Sequence, residues 1–109
     1  MATTYKTLAQ LAPSATTLTT LYTVPSATST VISSAVIANR ANTAASFRIA
    51  IRVAGAAIDN KHYIAYDVVI GANDSTTLTL GLTLATTDVV SVYASTANLS
   101  FNLFGSEIS

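Results

Sequence analysis

The sequence predicts a single all-β domain: an antiparallel β-sandwich of immunoglobulin-like or jelly-roll type with seven or eight short strands, with a small barrel as the alternative. Three observations predict this fold class. Hydrophobic and polar residues alternate with a period of two in most segments of the chain. Turn-forming residues interrupt these segments at short intervals. The length of 109 residues suits one domain, and no linker or change in composition divides it.

The clearest strand pattern lies in Leu78–Leu84, where leucine occupies every second position and Thr or Gly the positions between. Such alternation excludes an amphipathic helix, whose apolar positions recur at intervals of three and four. Phe47–Val53 alternates in the same way. The other predicted strands are Leu18–Val24, Thr30–Ala38, Tyr63–Ile70, Val89–Ala94 and Leu99–Phe104.

The N-terminal segment is the least defined part of the pattern. Thr7–Leu11 fits either an eighth strand or a helical turn. We therefore predict one domain over residues 1–109 and interpret residues 1–17 as an N-terminal arm that belongs to it.

Composition excludes several classes of partner. Charged residues make up 9% of the chain, far below the ~25% typical of soluble domains. Five Lys and Arg balance five Asp and Glu, so the chain lacks the basic excess of a nucleic-acid-binding protein. No run of ~18 apolar residues predicts a membrane span, and the N-terminus lacks the pattern of a secretory signal. We expect no nucleic acid and no membrane as partner, and synthesis in the cytoplasm.

The sequence offers little for catalysis or for a cofactor. The chain has no cysteine, which excludes disulfides and thiolate sites. The single histidine, His62, has no accompanying Gly-x-Ser-x-Gly motif. Asp59, Asp74 and Asp88 lie in predicted loops but form no calcium-loop motif. We expect a protein that is not an enzyme and that needs no cofactor or metal.

Three of the five basic residues lie between positions 40 and 52. Arg48 and Arg52 are predicted to share one strand face, which fits a surface for an anionic partner or cross-strand pairing with an acid such as Asp67. We favour the pairing.

Tyr63 and Tyr66 are predicted to face opposite sides of their strand, one in the core and one exposed at an interface.

Several segments resemble a module common in tailed-bacteriophage virion proteins. They are Thr19–Pro25 (TTLYTVP), Val31–Ser34, Val36–Arg40, Phe47–Arg52, Lys61–Asp67 and Thr87–Ala94. The resemblance covers about Leu18 to Gly105. It implies a compact β-sandwich with a structural role, in tail and fibre proteins as well as in small head proteins, and it carries over no catalytic residue. Under it, Asn39 and Arg40 are predicted to lock a loop through hydrogen bonds to carbonyl groups.

The outward strand faces carry Thr, Ser and Ala rather than charge, which suits a subunit covered by neighbours. Together with the resemblance, this predicts a virion structural protein, and we favour a capsid decoration (cement) protein because the chain reads as one free-standing domain. We expect the major capsid protein or other virion proteins as partners, and a homo-oligomer, with a trimer favoured. A tail, neck, fibre or baseplate component and a glycan- or receptor-binding module are the alternatives.

Overall fold

A computed structural model describes residues 2–109. It contains eight strands, with two short 3-10 turns at Val53–Gly55 and Asn60–His62 between the fourth and the fifth. The strands are β1 (Thr3–Leu11), β2 (Thr19–Thr23), β3 (Ser29–Asn39), β4 (Ala45–Arg52), β5 (Tyr63–Ile70), β6 (Ser75–Leu84), β7 (Val89–Ala94) and β8 (Leu99–Ile108).

The strands form two four-stranded antiparallel sheets. Sheet A has the order β1-β8-β3-β6 and sheet B the order β2-β7-β4-β5. The first strand thus pairs with the last, the second with the seventh, the third with the sixth and the fourth with the fifth. An antiparallel ribbon rolled up in this nested way is a jelly roll. The predicted β-sandwich is confirmed, and the strand order selects the jelly-roll alternative.

The strand predictions agree closely with the structure, with one alternative overturned. Tyr63–Ile70 and Val89–Ala94 coincide with β5 and β7. Thr7–Leu11 is the second half of β1, so the helical-turn alternative is wrong. Pairing with β8 overrides the local helical propensity of this segment. Most of the interpreted N-terminal arm is therefore the edge strand of sheet A.

The core lies between the two sheets. Phe47 of β4 and Phe101 of β8 meet edge to face, with ring centroids 6.1 Å apart, and both are fully buried. Such aromatic pairs contribute beyond the area that they bury. On β6, Leu84 is buried but the leucines before it are only partly covered, because β6 is an edge strand.

Register shifts interrupt the strand pairing of sheet A at neighbouring positions of its strands. The shifts lie between Thr7 and Ala9 in β1 and between Ile32 and Ser34 in β3. On β8, Gly105 lies opposite Ile32, and a Cβ atom at this glycine would stand 2.1 Å from the carbonyl oxygen of Val31. The close approach of the two strands therefore requires glycine.

A hydrogen-bonded cluster ties the two sheets together at one end. The hydroxyl of Tyr22 in β2 donates to Glu107 Oε2 in β8 (2.5 Å) and lies 2.9 Å from Thr30 Oγ1 in β3. Lys6 Nζ in β1 donates to Glu107 Oε1 (3.1 Å). The hydrogen bonds from Tyr22 and Lys6 lower the pKa of Glu107, while burial together with the Glu107 hydrogen bond raises the pKa of Tyr22 to about 12.

Candidate interaction surface

The outer face of sheet B presents an arginine held between two tyrosines. Arg48 lies at the middle of β4 between the buried residues Phe47 and Ile49, so its side chain points away from the core. Its Cζ atom is 4.2 Å from the ring centroid of Tyr66 in β5 and 4.4 Å from that of Tyr93 in β7. Cation–π contacts at these distances hold the guanidinium between the two rings.

A carboxylate completes this arrangement. Asp67 accepts hydrogen bonds from Arg48 Nε (2.7 Å) and Nη2 (3.3 Å), a bidentate ion pair. The hydrogen bond to Asp67 raises the pKa of Arg48 above its ordinary value. Asp67 reaches the arginine because β5 is bulged there and Asp67 adopts a left-handed conformation with φ of 52°. The favoured interpretation of Arg48, cross-strand pairing, matches this geometry.

Tyr63 and Tyr66 do not face opposite sides of β5 as predicted. Their rings are in edge-to-face contact, with centroids 5.0 Å apart. Between them the register of β5 against β4 slips, because Ala50 and Ile49 face Tyr63 and Ala65 and leave Ile64 as an extra residue. One inserted residue reverses the alternation, so both tyrosines lie on the same face. Tyr66 is 56% exposed, and Tyr63 is partly buried.

A surface hollow of about 470 Å³ opens beside these rings, lined by Asn60, Tyr63 and Tyr66. The 3-10 turn that carries Asn60 is fixed by its own cap. Asp59 Oδ1 accepts from the backbone N–H of Asn60, and His62 Nδ1 accepts from the backbone N–H of Asp59 (2.9 Å). The only histidine thus holds the wall of the hollow in place. We define Arg48, Tyr63, Tyr66, Asp67 and Tyr93 as the tyrosine–arginine patch.

Arg52, the second predicted interface arginine, lies apart from this patch. It donates to the carbonyl oxygens of Ala56 (2.8 Å) and Gly55 (2.9 Å) and to Ser91 Oγ (3.3 Å). These bonds close the turn after β4, where Ala54 and Gly55 both have positive φ. Arg52 therefore stabilises a loop.

Asn39 and Arg40 hold the loops at the opposite end of the sandwich. The buried amide of Asn39 donates to the carbonyl oxygens of Thr43, Ile70 and Gly71, and its Oδ1 accepts from Ala41. Arg40 Nη2 donates to Ala97 O at 3.0 Å. The structure thus shows hydrogen bonds of the kind predicted for this pair.

Two residues of this surface were not found by the sequence reasoning. Tyr93 alternates with the buried residues Val92 and Ala94, a pattern that predicts an outward side chain. Its position directly opposite Arg48 follows from the β4–β7 register, which depends on long-range pairing. Asn60 carries no signal in the sequence, and it lines the hollow because it lies in the capped 3-10 turn that precedes β5.

The side chains of this surface are suited to contact with another protein. Within residues 2–109, no group of three or more His, Cys, Asp or Glu side chains is placed to hold a metal ion. The same part of the chain has no helix long and apolar enough to cross a membrane. Tyr and Arg are the residue types enriched at protein interfaces, and here they are held in fixed positions.

These features define an eight-stranded jelly roll with a tyrosine–arginine patch on one sheet. No protein-family model and no curated protein matches the chain. A chain in the structure of infectious bursal disease virus, Gt strain, is similar in fold, with a TM-score of 0.52 and 12% identical residues. The match covers 97% of the present chain, which spans only 30% of that viral chain. At this identity the likeness shows the fold alone.

Proposed function

We propose that the chain is a non-enzymatic structural subunit of a tailed-bacteriophage virion and, within that class, a decoration protein that stabilises the head by bridging coat subunits. The observation that carries the proposal is the jelly-roll fold of this chain, 97% of which is similar in fold to part of a chain in a virus structure. Viral capsid proteins are a principal host of this fold. The resemblance of Leu18–Gly105 to virion modules of tailed phages supports the narrower class.

The surface chemistry supports a subunit that is covered by neighbours. On β6 the outward positions are Ser, Thr and Gly, and no charged residue occurs in the strand. Hydroxyl and methyl groups lose less on desolvation than ionised side chains do. Many such weak contacts, repeated at each copy on a particle, add up to strong attachment.

The tyrosine–arginine patch supplies the specific contact with a coat subunit in this proposal. Arg48 is fixed by Asp67 and by two aromatic rings, so little side-chain entropy is lost when a partner covers it. Tyr66, which is 56% exposed, offers an apolar ring for a partner pocket. His62 supports the non-enzymatic part of the proposal, because it is buried and its Nδ1 caps a 3-10 turn, which is a structural role.

The test is capsid rupture on heating. Particles of the phage that carries this chain are stripped of it, and purified wild-type or variant chain is then added back. We expect wild-type chain to raise the rupture temperature of stripped capsids and Tyr66→Ala to restore less of it. An unchanged rupture temperature on stripping and add-back contradicts the cement role.

The control is Val53→Ala, which removes an apolar side chain of similar exposure (65%) from the turn after β4, outside the patch. This variant is expected to restore capsid stability as the wild-type chain does. Equal losses for Val53→Ala and Tyr66→Ala contradict docking through the patch. A chain absent from the head but present in tails supports the tail, neck, fibre or baseplate alternative.

A glycan-binding module is the second candidate, favoured by the hollow between Asn60, Tyr63 and Tyr66. An aromatic ring beside an amide is a common way to hold a polar ring-shaped ligand, and jelly rolls also occur in lectins. A glycan array probed with the full chain tests this function. Binding that Tyr66→Ala abolishes supports it, and an array without binding disposes of it.

A further inference from the structure

The four edge strands of the sandwich differ in how well they are protected against pairing with another chain. In sheet B, β2 has only five residues and is followed by Val24 and Pro25, and β5 is bulged twice. Short strands, proline and bulges are the usual protections of an edge. In sheet A, β1 has nine residues and β6 has ten, and neither contains proline. Each has one register shift, which leaves Thr3–Thr7 of β1 and Ser75–Thr79 of β6 without a bulge. Sheet A therefore carries the two open edges.

The hydrogen bonds at the start of β1 show which backbone groups are free. Ala2 and Ser109 exchange both of their backbone hydrogen bonds (2.6 and 2.9 Å). In an antiparallel pair, residues that exchange backbone hydrogen bonds with the partner strand alternate with residues that do not. The backbone groups of Thr4 and Lys6 therefore also bond to β8. The N–H and C=O groups of the residues between them point away from β8. These residues are Thr3, Tyr5 and Thr7, and no strand in the described part of the chain pairs with that side of β1.

The side chain of Tyr5 is also uncovered. Thr4 lies opposite Glu107, which contacts Tyr22 across the sandwich, so Thr4 faces inward and Tyr5 faces outward. Tyr5 is 84% exposed, more than any other large hydrophobic side chain of residues 2–109. A monomer gains little from an aromatic ring placed this way on an unpaired edge.

The residues of β1 whose backbone groups point away from β8 have the same order in both directions, as Thr, Tyr and Thr at positions 3, 5 and 7. We propose that two copies of this chain pair through β1, antiparallel, about a two-fold axis at Tyr5. Tyr5 then lies opposite Tyr5 of the second copy, and each Thr3 lies opposite a Thr7. Aromatic and Thr–Thr cross-strand pairs are both favourable, and sheet A becomes a continuous eight-stranded sheet.

The other open edge, β6, offers less. Asn39 N–H donates to Asp74 O, so every second residue of β6 from that position bonds to β3. The backbone groups of the residues between them, Ser75, Thr77 and Thr79, point away from β3. These side chains bring hydroxyl groups but no aromatic ring, so pairing through β6 would bury less apolar surface. Thr77, at the centre of this edge, is therefore the matched control position for Tyr5.

The absence of cysteine makes the pairing directly testable by disulfide cross-linking. Directly opposed, hydrogen-bonded residues have Cα atoms about 5.5 Å apart, within the range that a disulfide spans. Under mild oxidation we expect Tyr5→Cys to convert most of the chain to a covalent dimer, and Thr77→Cys to leave it monomeric in denaturing gels. Thr3→Cys mixed with Thr7→Cys should cross-link, whereas either alone should not.

A second measurement covers the case in which the cysteine itself weakens pairing. Tyr5→Pro removes an outward N–H that bonds to nothing within the chain, so the fold should persist while the pairing is lost. Light scattering of the wild-type chain should give an even number of copies, and Tyr5→Pro should halve that mass. A wild-type mass that Tyr5→Pro leaves unchanged, or cross-linking by Thr77→Cys but not by Tyr5→Cys, overturns the proposal, whether or not the chain is a virion protein.

Discussion

The two sheets of this jelly roll expose different chemistry. Sheet B has guarded edges and carries the tyrosine–arginine patch on its outer face, where Arg48 is already satisfied by Asp67 and two rings. Sheet A has a hydroxyl-rich edge at β6 and an exposed tyrosine at β1, with unpaired backbone groups along both edges. The difference teaches that one molecule can offer two kinds of contact: preorganised side chains on one sheet and backbone hydrogen bonds on the other.

The sheets also differ in how substitutions should act on them. Sheet A depends on a close backbone approach at Gly105, and the junction between the sheets depends on buried polar groups. The patch of sheet B contributes contacts at the surface, where ion pairs stabilise a fold weakly. Four changes, Gly105→Ala, Asn39→Ala, Tyr22→Phe and Arg48→Ala, follow from the largest expected loss of stability to the smallest, and Arg40→Ala is compared with Asn39→Ala.

Gly105→Ala should cause the largest loss, because the added Cβ atom would stand 2.1 Å from the Val31 carbonyl oxygen and force β3 and β8 apart. We expect about 3 kcal/mol of lost unfolding free energy, at the upper end for overpacking. Gly81→Ala in the same sheet is the control, since nothing lies within 4 Å of its Cβ position. Urea denaturation measures both, and equal midpoints for the two variants would contradict the close approach of β3 to Gly105.

Asn39→Ala should come second. The buried amide joins β3 of sheet A to the carbonyl oxygen of Ile70 in β5 of sheet B, and its loss leaves this buried oxygen and several part-buried backbone groups of the loops without their side-chain partner. Such losses amount to about 2 kcal/mol.

Arg40→Ala, which removes one exposed hydrogen bond to Ala97, should cost less but should still lower the thermal midpoint. An unchanged midpoint for Arg40→Ala would refute its role in locking the loop.

Tyr22→Phe should cost about 1.5 kcal/mol near neutral pH, the lower end for a hydrogen bond to a charged group, because Glu107 keeps its bond from Lys6. It should also change the pH dependence of stability. The pKa of Glu107 is lower in the folded state than its ordinary value of 4.5, so its stabilisation is present above pH 4.5 and is lost as the pH falls through the folded pKa.

Removal of the Tyr22 hydroxyl lets the pKa of Glu107 rise toward its ordinary value. The drop in unfolding free energy between pH 6 and pH 3, measured in urea, should therefore be smaller for Tyr22→Phe than for the wild type. Tyr5→Phe, which alters an exposed hydroxyl, should keep the wild-type drop. Parallel pH profiles for Tyr22→Phe and the wild type would show that Glu107 is not held by this hydrogen bond.

Arg48→Ala should change stability least of the four, because the ion pair with Asp67 lies at the surface. Its expected effect is on attachment, where it should weaken binding to stripped capsids more than Lys61→Ala, a change to an exposed cation outside the patch. Calorimetry gives the thermal midpoints and co-sedimentation gives the binding. A midpoint for Arg48→Ala as low as that of Asn39→Ala would make Arg48 a structural residue.

The sequence predicted the strands well and the surface only in part, for a physical reason. Leu78–Leu84 and Phe47–Val53 alternate because one side of each faces the core, and that signal is local. The side on which Tyr63 and Tyr66 lie depends on the extra residue Ile64, and a bulge leaves no mark on composition.

Contacts between distant strands escaped prediction for a related reason. The register that brings Tyr93 opposite Arg48 comes from pairing of strands more than thirty-five residues apart. The same holds for the bond between Tyr22 and Glu107, whose partners are separated by 85 positions. Local alternation of apolar and polar residues indicates which side chains point outward, but it does not indicate which of these side chains contact each other.

The copy number of the chain in purified phage particles tests the central claim most directly. Quantitative mass spectrometry against the major coat protein measures it. A decoration protein is predicted to be present at hundreds of copies per particle, in a simple ratio to the coat protein set by the symmetry of the head. A few copies per particle would contradict the decoration role in favour of the tail, and particles without the chain would contradict a virion function altogether.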